Sequence, residues 1–239
     1  MPLNSPSSID RLNMSDSTLH DFVLHQSGAH VKDSKTGIYT LANQDILELF
    51  GREKTDDLGT FSIYELAKFM QPCRVNKYAD EISGMDQMVA ATGTTTTKNK
   101  DIVLNASGVV YVQDLLKLPL TNRNNKVVAI LTISTDLTQK TNLFRLLELH
   151  INTHLNLSTG LVNFVKYLGI DGFFCEDLTY KEIICLLQMR ITPAYKSIAK
   201  NLNIGARTVE THISHIIDKL NGSHQLSDVL IHLRSRQNP

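Results

Sequence analysis

Apolar residues recur at helical spacing through the last quarter of the chain and give way upstream to a mixture of strand-like and short helical runs. Four short helices are predicted between residues 178 and 233. Thr179 as N-cap, with Glu182 three residues on, forms a capping box, and Ile183, Ile184, Leu186 and Leu187 give this first helix an apolar face that needs partners. Thr192 and Pro193 mark the second start, Thr192 as cap and Pro193 at the first helical position, where its missing N–H costs nothing. Ile198, Ala199 and Leu202 are the buried stripe of that helix, with Lys196 and Lys200 on the other side. The chain then turns at Asn203-Ile204-Gly205, where Gly205 is expected to supply the backbone freedom. In the third helix Val209, Ile213, Ile216 and Leu220 fall at i, i+4, i+7 and i+11, opposite Arg207, Thr208, Glu210, Thr211, Ser214 and Lys219. Ser223 is expected to cap a fourth helix closed by Leu226, Val229, Leu230 and Leu233.

Upstream, Val31 begins an extended piece, Gly37 turns it, and Ile38 to Leu41 runs back. Asn43 caps a brief helix through Ile46, Leu47 and Phe50 that Gly51 ends. Ile82, Met85, Met88 and Val89 give a helical stripe that Gly93 stops, and Thr94 to Thr97 reads as a small low-complexity loop. Three strands follow, around Ile102 to Leu104, Val109 to Leu120 and Val127 to Ile133, the last two joined by a hairpin turn at Asn122 to Asn125. An antiparallel sheet with helices on one face is the simplest assembly, and Asp136 with Gln139 caps a helix that leaves it.

Between these regions Leu147, Ile151 and Leu155, then Leu161, Phe164, Val165 and Leu168, predict two helices broken at Gly160. Two readings stay open for them: a dimerising signal helix, or packing on their own subunit. Gly169 to Gly172 reads as a flexible joint.

Composition bounds the class. At 239 residues and 42% hydrophobic, the chain can hold two domains. Met1 to Ser8 lacks a charged start followed by an apolar run, and no apolar stretch approaches the ~20 residues that span a bilayer, so a cytoplasmic protein without membrane contact is expected. Cys73, Cys175 and Cys185, odd in number and far apart, read as structural thiols in a reducing compartment. Residues 178–239 carry eight basic against four acidic side chains, while the whole chain balances at 24 and 24, so the basic surplus is confined to one end. Such an asymmetry suits a phosphate-binding module on a neutral or acidic partner domain.

The runs Leu178-Thr179-x-x-Glu182-Ile183, Lys196-x-Ile198-Ala199-x-x-Leu202-x-Ile204 and Arg207-Thr208-Val209-Glu210-x-His212-Ile213-x-x-Ile216-x-x-Lys219-Leu220 resemble, without a gap, the LuxR-type (GerE-like) DNA-binding domain. The resemblance implies a third helix in the major groove, with Glu210, Thr211 and Ser214 at base edges and Thr208, Lys200 and Lys219 near phosphates. Lys196, Arg207 and His215 complete the candidate DNA-binding set. This chain departs from the usual pattern at Thr192, where members carry a Gly ending the first helix, and at Glu210 and Ser214, where members often carry a base. A Glu there can accept from a cytosine amino group.

Residues 17–141 resemble a PAS sensory domain, through Asn43 with Phe50-Gly51, Leu58-Gly59, Lys117-Leu118-Pro119-Leu120, Val127 to Ile130 and Asp136-Leu137-Thr138. That resemblance leaves the sensed species open among a small molecule, a cofactor and a partner. None of the nine histidines falls between Val31 and Leu149, which disfavours haem, and Cys73 in Pro72-Cys73-Arg74-Val75 lacks the setting of a photoactive flavin domain. His150 and His154 have the i, i+4 spacing of a metal pair, but with no carboxylate or cysteine beside them they are read as surface residues. His212 and His215 have an equally plain reading as polar groups on a helix, flanked by Ile213 and Ile216. No phosphate loop, Cys-x-x-Cys pair or nucleophile elbow points to an enzyme.

The sequence therefore predicts an α+β chain: a PAS-like antiparallel sheet with flanking helices over 17–141, a helical connector over 142–172, and an all-α four-helix helix-turn-helix domain over 176–236. The expected function is a cytoplasmic, DNA-binding transcriptional regulator with no resident cofactor or metal, acting as a homodimer on double-stranded DNA under control of a small molecule or partner. The competing reading is a sensory adaptor whose C-terminal helices bind another protein.

Overall fold

The computed structural model describes residues 16–53, 58–74 and 77–235. The expectations placed on Met1 to Ser8, on Val75 beside Cys73 and on Arg236 lie outside these residues. The chain divides between Thr138 and Gln139 into two compact units.

In the first unit, among the described residues, β1 (Ala29–Asp33), β2 (Tyr39–Ala42), β3 (Thr96–Leu104), β4 (Val110–Thr121) and β5 (Val127–Asp136) form one antiparallel sheet in the order β2-β1-β5-β4-β3. The hairpin between β4 and β5 turns on Asn125, whose φ of 56° is left-handed, while the Asn122 carboxamide accepts from the Asn124 and Lys126 amides. The run at Thr96 and Thr97 is not a loop. It starts β3, paired with Lys117 and Leu116.

Period-two alternation sends each strand's side chains to two faces. On one, Ala29, Val31, Ala129 and Leu131 pack with Leu19 and Val23 of α1 (Asp16–His25). Both faces therefore carry helices, against the one-sided arrangement expected from the sequence, in which α1 went unread. The other face is roofed by α2 (Gln44–Leu49), α3 (Ile63–Leu66) and α4 (Tyr78–Thr92), with Tyr39, Phe50, Leu66 and Leu115 in its core. Asn43 caps α2 by accepting from the Ile46 amide at 3.2 Å. Gly93 ends α4 with a φ of 65°, which a side chain would resist. The buried stripe of α4 is Ile82, Asp86 and Val89, whereas Met88 is 54% exposed. An acid occupies the core position expected of a methionine, because two lysines of the sheet face it. Asp136 caps only a 3-10 turn, accepting from the Thr138 amide at 2.7 Å, and the next helix has its own cap in Asn142.

The second unit is helical. α5 (Leu143–Thr153) and α6 (Leu157–Tyr167) pack together, separated at His154 to Asn156, where Asn156 caps α6 by accepting from the Thr159 amide at 2.8 Å. Gly160 does not break the pair; it lies inside α6, where a Cβ would stand 2.8 Å from the backbone oxygen of His150. Small size at this contact lets the two helices approach. Leu146, Leu147 and Phe164 are fully buried here, each contributing about 1.5–3 kcal/mol of apolar burial. His150 and His154 are buried too, not on the surface. Their Nδ1–H groups donate to the carbonyls of Leu146 and His150 at 2.8 and 2.7 Å, and Asn163 donates to His154 Nε2 at 3.1 Å.

Gly169 to Gly172 is no free joint. Ile170 is fully buried, a 3-10 turn covers Asp171–Phe173, and Phe174 bridges to Leu220. Phe173 also packs on His224 and His232, so the connector is fastened to the four helices that follow.

Candidate nucleic-acid interface

Those four helices are α7 (Tyr180–Ile191), α8 (Tyr195–Leu202), α9 (Ala206–Asp218) and α10 (Leu226–Ser235). The capping box of α7 is formed as expected: Thr179 accepts from the Glu182 amide and Glu182 accepts from the Thr179 amide. Burial of Glu182, Ile183, Cys185, Leu186, Leu187 and Met189 shows that α7 is enclosed on more than one side. Met189, Ile198, Ala199, Val209 and Ile213, with Leu202, Ile204, Leu226 and Leu230 against them, form the core that fixes α9 relative to α7, α8 and α10.

Three local expectations are corrected. Thr192 ends α7 in extended backbone, with φ −144° and ψ 132°, and α8 starts two residues later than expected, after Ala194. An extended Thr192 needs no glycine, which explains how the chain departs there without disturbing the turn. Between α8 and α9 the left-handed residue is Asn203 (φ 53°, ψ 47°), whereas Gly205 has ordinary N-cap geometry at φ −71°. Asn tolerates that conformation because its short polar side chain bonds locally. α10 starts at Leu226 without help from Ser223; the Asp228 carboxylate accepts from the Gln225 amide at 2.7 Å.

The outward face of α9 is polar as predicted, and Arg207, Thr208, Glu210, Thr211, Ser214 and His215 are all exposed. An open groove brings Lys196 of α8 together with Arg207, Glu210, Thr211, Ser214 and His215 of α9. Tyr195 and Asp218 also line it, and sequence reasoning missed both. Their signal was positional: Tyr195 opens α8 beside Lys196, and Asp218 lies one turn beyond Ser214. Lys200 and Thr208 are exposed but do not line the groove. The Thr211 hydroxyl donates to the Arg207 carbonyl at 3.0 Å, leaving its methyl and oxygen lone pairs for a ligand.

Lys219 stands apart from the other candidates. Its Nζ donates to Glu182 Oε2 at 2.8 Å and to the Asp177 carbonyl at 2.9 Å, and its side chain is only 17% exposed. Burial by itself would raise the Glu182 carboxyl, but the Lys219 bond and the donors of Thr179 outweigh it and hold the pKa below the ordinary carboxylate range. His215 Nδ1 lies 3.9 Å from the other carboxylate oxygen.

Helix packing also consumes part of the basic surplus. Arg190 donates to the Leu233 carbonyl and Arg234 to that of Arg190, tying α7 to α10. Among the described residues, Lys196, Lys200 and Arg207 are exposed cations near α9 that form no ion pair. In the groove itself Lys196 and Arg207 face Glu210 and Asp218, so the surface is locally balanced in charge. Such a surface can discriminate through hydrogen bonds while gaining less from phosphate attraction.

Among the described residues, no group of three or more His, Cys, Asp or Glu side chains is arranged to hold a metal, and no helix is long and apolar enough to cross a membrane.

Comparison with known proteins matches residues 176–231 to the bacterial regulatory proteins of the luxR family and residues 25–142 to the PAS fold. A curated relative, the glycerol metabolism activator of Pseudomonas putida, is 34% identical over 73 residues, 30% of this chain. The chain spans about a third of the length of that relative, with 33% covered. Among solved structures, a ligand and DNA complex of Vibrio cholera VqmA is similar over 94% of this chain and 88% of that one, at 19% identity and a TM-score of 0.45. The PAS domain of Bordetella pertussis BvgS is similar over 55% of this chain and 93% of that one, at 19% identity and a TM-score of 0.43.

Proposed function

We propose that this chain, with its LuxR-type helix-turn-helix at residues 176–231 and its PAS domain at residues 25–142, is a cytoplasmic transcriptional regulator that reads DNA through α9 and answers to a signal received by the sheet unit. The observation that carries the reading is the placement of Arg207, Glu210, Thr211 and Ser214 on one exposed face whose opposite side, Val209, Ile213 and Ile216, is buried. A short helix held by its apolar side and polar along the other is what the major groove admits.

Within this reading Glu210, Thr211 and Ser214 approach base edges, while Lys196, Lys200, Arg207 and Thr208 approach phosphates. Lys219 acts one step removed, by setting α9 against the first turn of α7. The acting species is a homodimer, because two-fold operator sites call for a two-fold protein, with half-sites about 34 Å apart. Leu155, Leu157 and Ile231 are exposed apolar residues of the helical unit that a second copy can cover. Control follows from a signal that binds one arrangement of the dimer more tightly than another.

The test is a fluorescence-anisotropy titration of the full chain against duplex DNA at several salt concentrations, paired with light scattering for the dimer. Log affinity falling linearly with log salt supports the reading; salt-independent binding of a protein partner with no affinity for any duplex sinks it.

A further inference from the structure

Two carboxylates line the open groove of α9, Glu210 in its first half and Asp218 at its last residue, and both are exposed. With Ser214 they fall at i, i+4 and i+8, one row along the outward side of the helix. Eight residues separate the two acids, about 12 Å along the axis. Among the described residues neither forms an ion pair. Arg207 is eleven residues from Asp218, about 16 Å along the same axis, and Lys196 belongs to α8. Lys219, next to Asp218 in the chain, is turned onto Glu182 and the Asp177 carbonyl.

Asp218 does not serve the helix that carries it. A carboxylate in the last turn meets the partial negative charge of the unpaired carbonyls and is unfavourable there. Its oxygens are left for whatever the groove receives. An ionised carboxylate only accepts hydrogen bonds. In a major groove it is repelled by phosphate oxygens, by guanine O6 and N7 and by thymine O4, and donors stand only on cytosine N4 and adenine N6. Adenine sets its N7 acceptor beside that amino group, against the second carboxylate oxygen, so cytosine is the better match. Base pairs rise about 3.4 Å per step, so side chains about 12 Å apart on a helix lying along the groove face positions about three to four steps apart.

We infer that Asp218 is a second specificity residue beside Glu210, and that the half-site read by α9 carries two C·G pairs about three to four steps apart, whose cytosine amino groups donate one to each carboxylate. The inference rests on the proposed reading of DNA by α9 and names the class of half-site that α9 takes. The two acids also act by exclusion, since a guanine or thymine edge at either position leaves a desolvated carboxylate facing an acceptor.

The experiment is selection from a random duplex library by the full chain as wild type, Glu210→Ala and Asp218→Ala, followed by anisotropy on the selected operator. Both side chains are exposed, so their removal leaves the fold intact, and Asp218→Ser provides a second variant at the helix end. Wild type should select the two C·G pairs; Asp218→Ala should lose the preference at one and Glu210→Ala at the other. Exchanging the cytosine assigned to Asp218 for thymine should weaken wild type by about fivefold or more, and Asp218→Ala by less than about twofold. A wild-type consensus lacking either cytosine overturns the inference. So does an Asp218→Ala protein that binds every duplex more tightly by one common factor with its consensus unchanged, which would set the acid beside phosphate. Wild type that binds no duplex removes the DNA reading itself, whereas binding with a different consensus removes only the assignment of the two carboxylates.

Discussion

Lys219 Nζ meets Glu182 Oε2 at 2.8 Å, joining the C-cap of α9 to the first turn of α7. A cation that the family resemblance placed near phosphate is thus committed inside the domain. Lys219→Ala is expected to cost about 1–3 kcal/mol of stability, because it strips a strong partner from the nearly buried Glu182. It should leave the salt slope of DNA binding unchanged under conditions where the variant is folded. Denaturant melts and a salt titration check both halves, and a slope smaller by about 1 would return Lys219 to the phosphate contacts.

Lys196→Ala, Lys200→Ala and Arg207→Ala should each weaken binding to every duplex by a similar factor. Each should also reduce the slope of log affinity against log salt by about 1 per subunit contact. Anisotropy on a specific and a scrambled duplex measures both. A change confined to one sequence would move that residue from phosphate to base.

Glu210→Gln removes a negative charge from the groove that Lys196 and Arg207 share. Affinity for scrambled DNA should rise, while discrimination among operators falls by an amount on the order of 1–3 kcal/mol at the affected base pair. Selection from a random duplex library reads this directly, and an unaltered consensus would place Glu210 away from base edges.

Gly160→Ala should destabilise the helical unit by about 1–3 kcal/mol, since the new Cβ would meet the His150 carbonyl oxygen at 2.8 Å. Chemical denaturation with unchanged stability would mean that α5 and α6 separate easily at this crossing.

Burial lowers the His150 pKa to about 4 from an ordinary 6.5, against the opposing bond to the Leu146 carbonyl. The neutral ring is the native form, so the stability tied to it is complete above pH 6.5 and is lost as pH falls from 6.5 towards 4. The loss amounts to at most about 3 kcal/mol. Glu182, held below its ordinary range, adds a further loss only at more acidic pH. In melts between pH 7 and about 3, His150→Leu should reduce the first decline, to which the buried neutral His30 also contributes, and leave the second; an unaltered profile would show that another group sets it.

Much of the architecture follows from local chemistry. Helical stripes such as Val209, Ile213 and Ile216 declare which side must be buried, and the capping box of Thr179 and Glu182 marks a start with no tertiary help. The polar face of α9 was legible for the same reason, being the complement of its stripe. Turn positions were less legible. Asn203 and Gly205 are both compatible with the corner, and only the way α8 and α9 pack selects which one takes the left-handed conformation.

What the sequence by itself determined is the periodicity of most elements, and with it the sheet, the helix-turn-helix and the polar face of α9. Only the tertiary structure decided which charged groups are spent internally. Lys219 lies 37 residues from Glu182, and Asp86 lies 54 from Lys32 and 31 from Lys117. Partners so distant in the chain meet through the packing of whole elements, and the charge they carry is neutralised or concentrated only once water has been excluded between them.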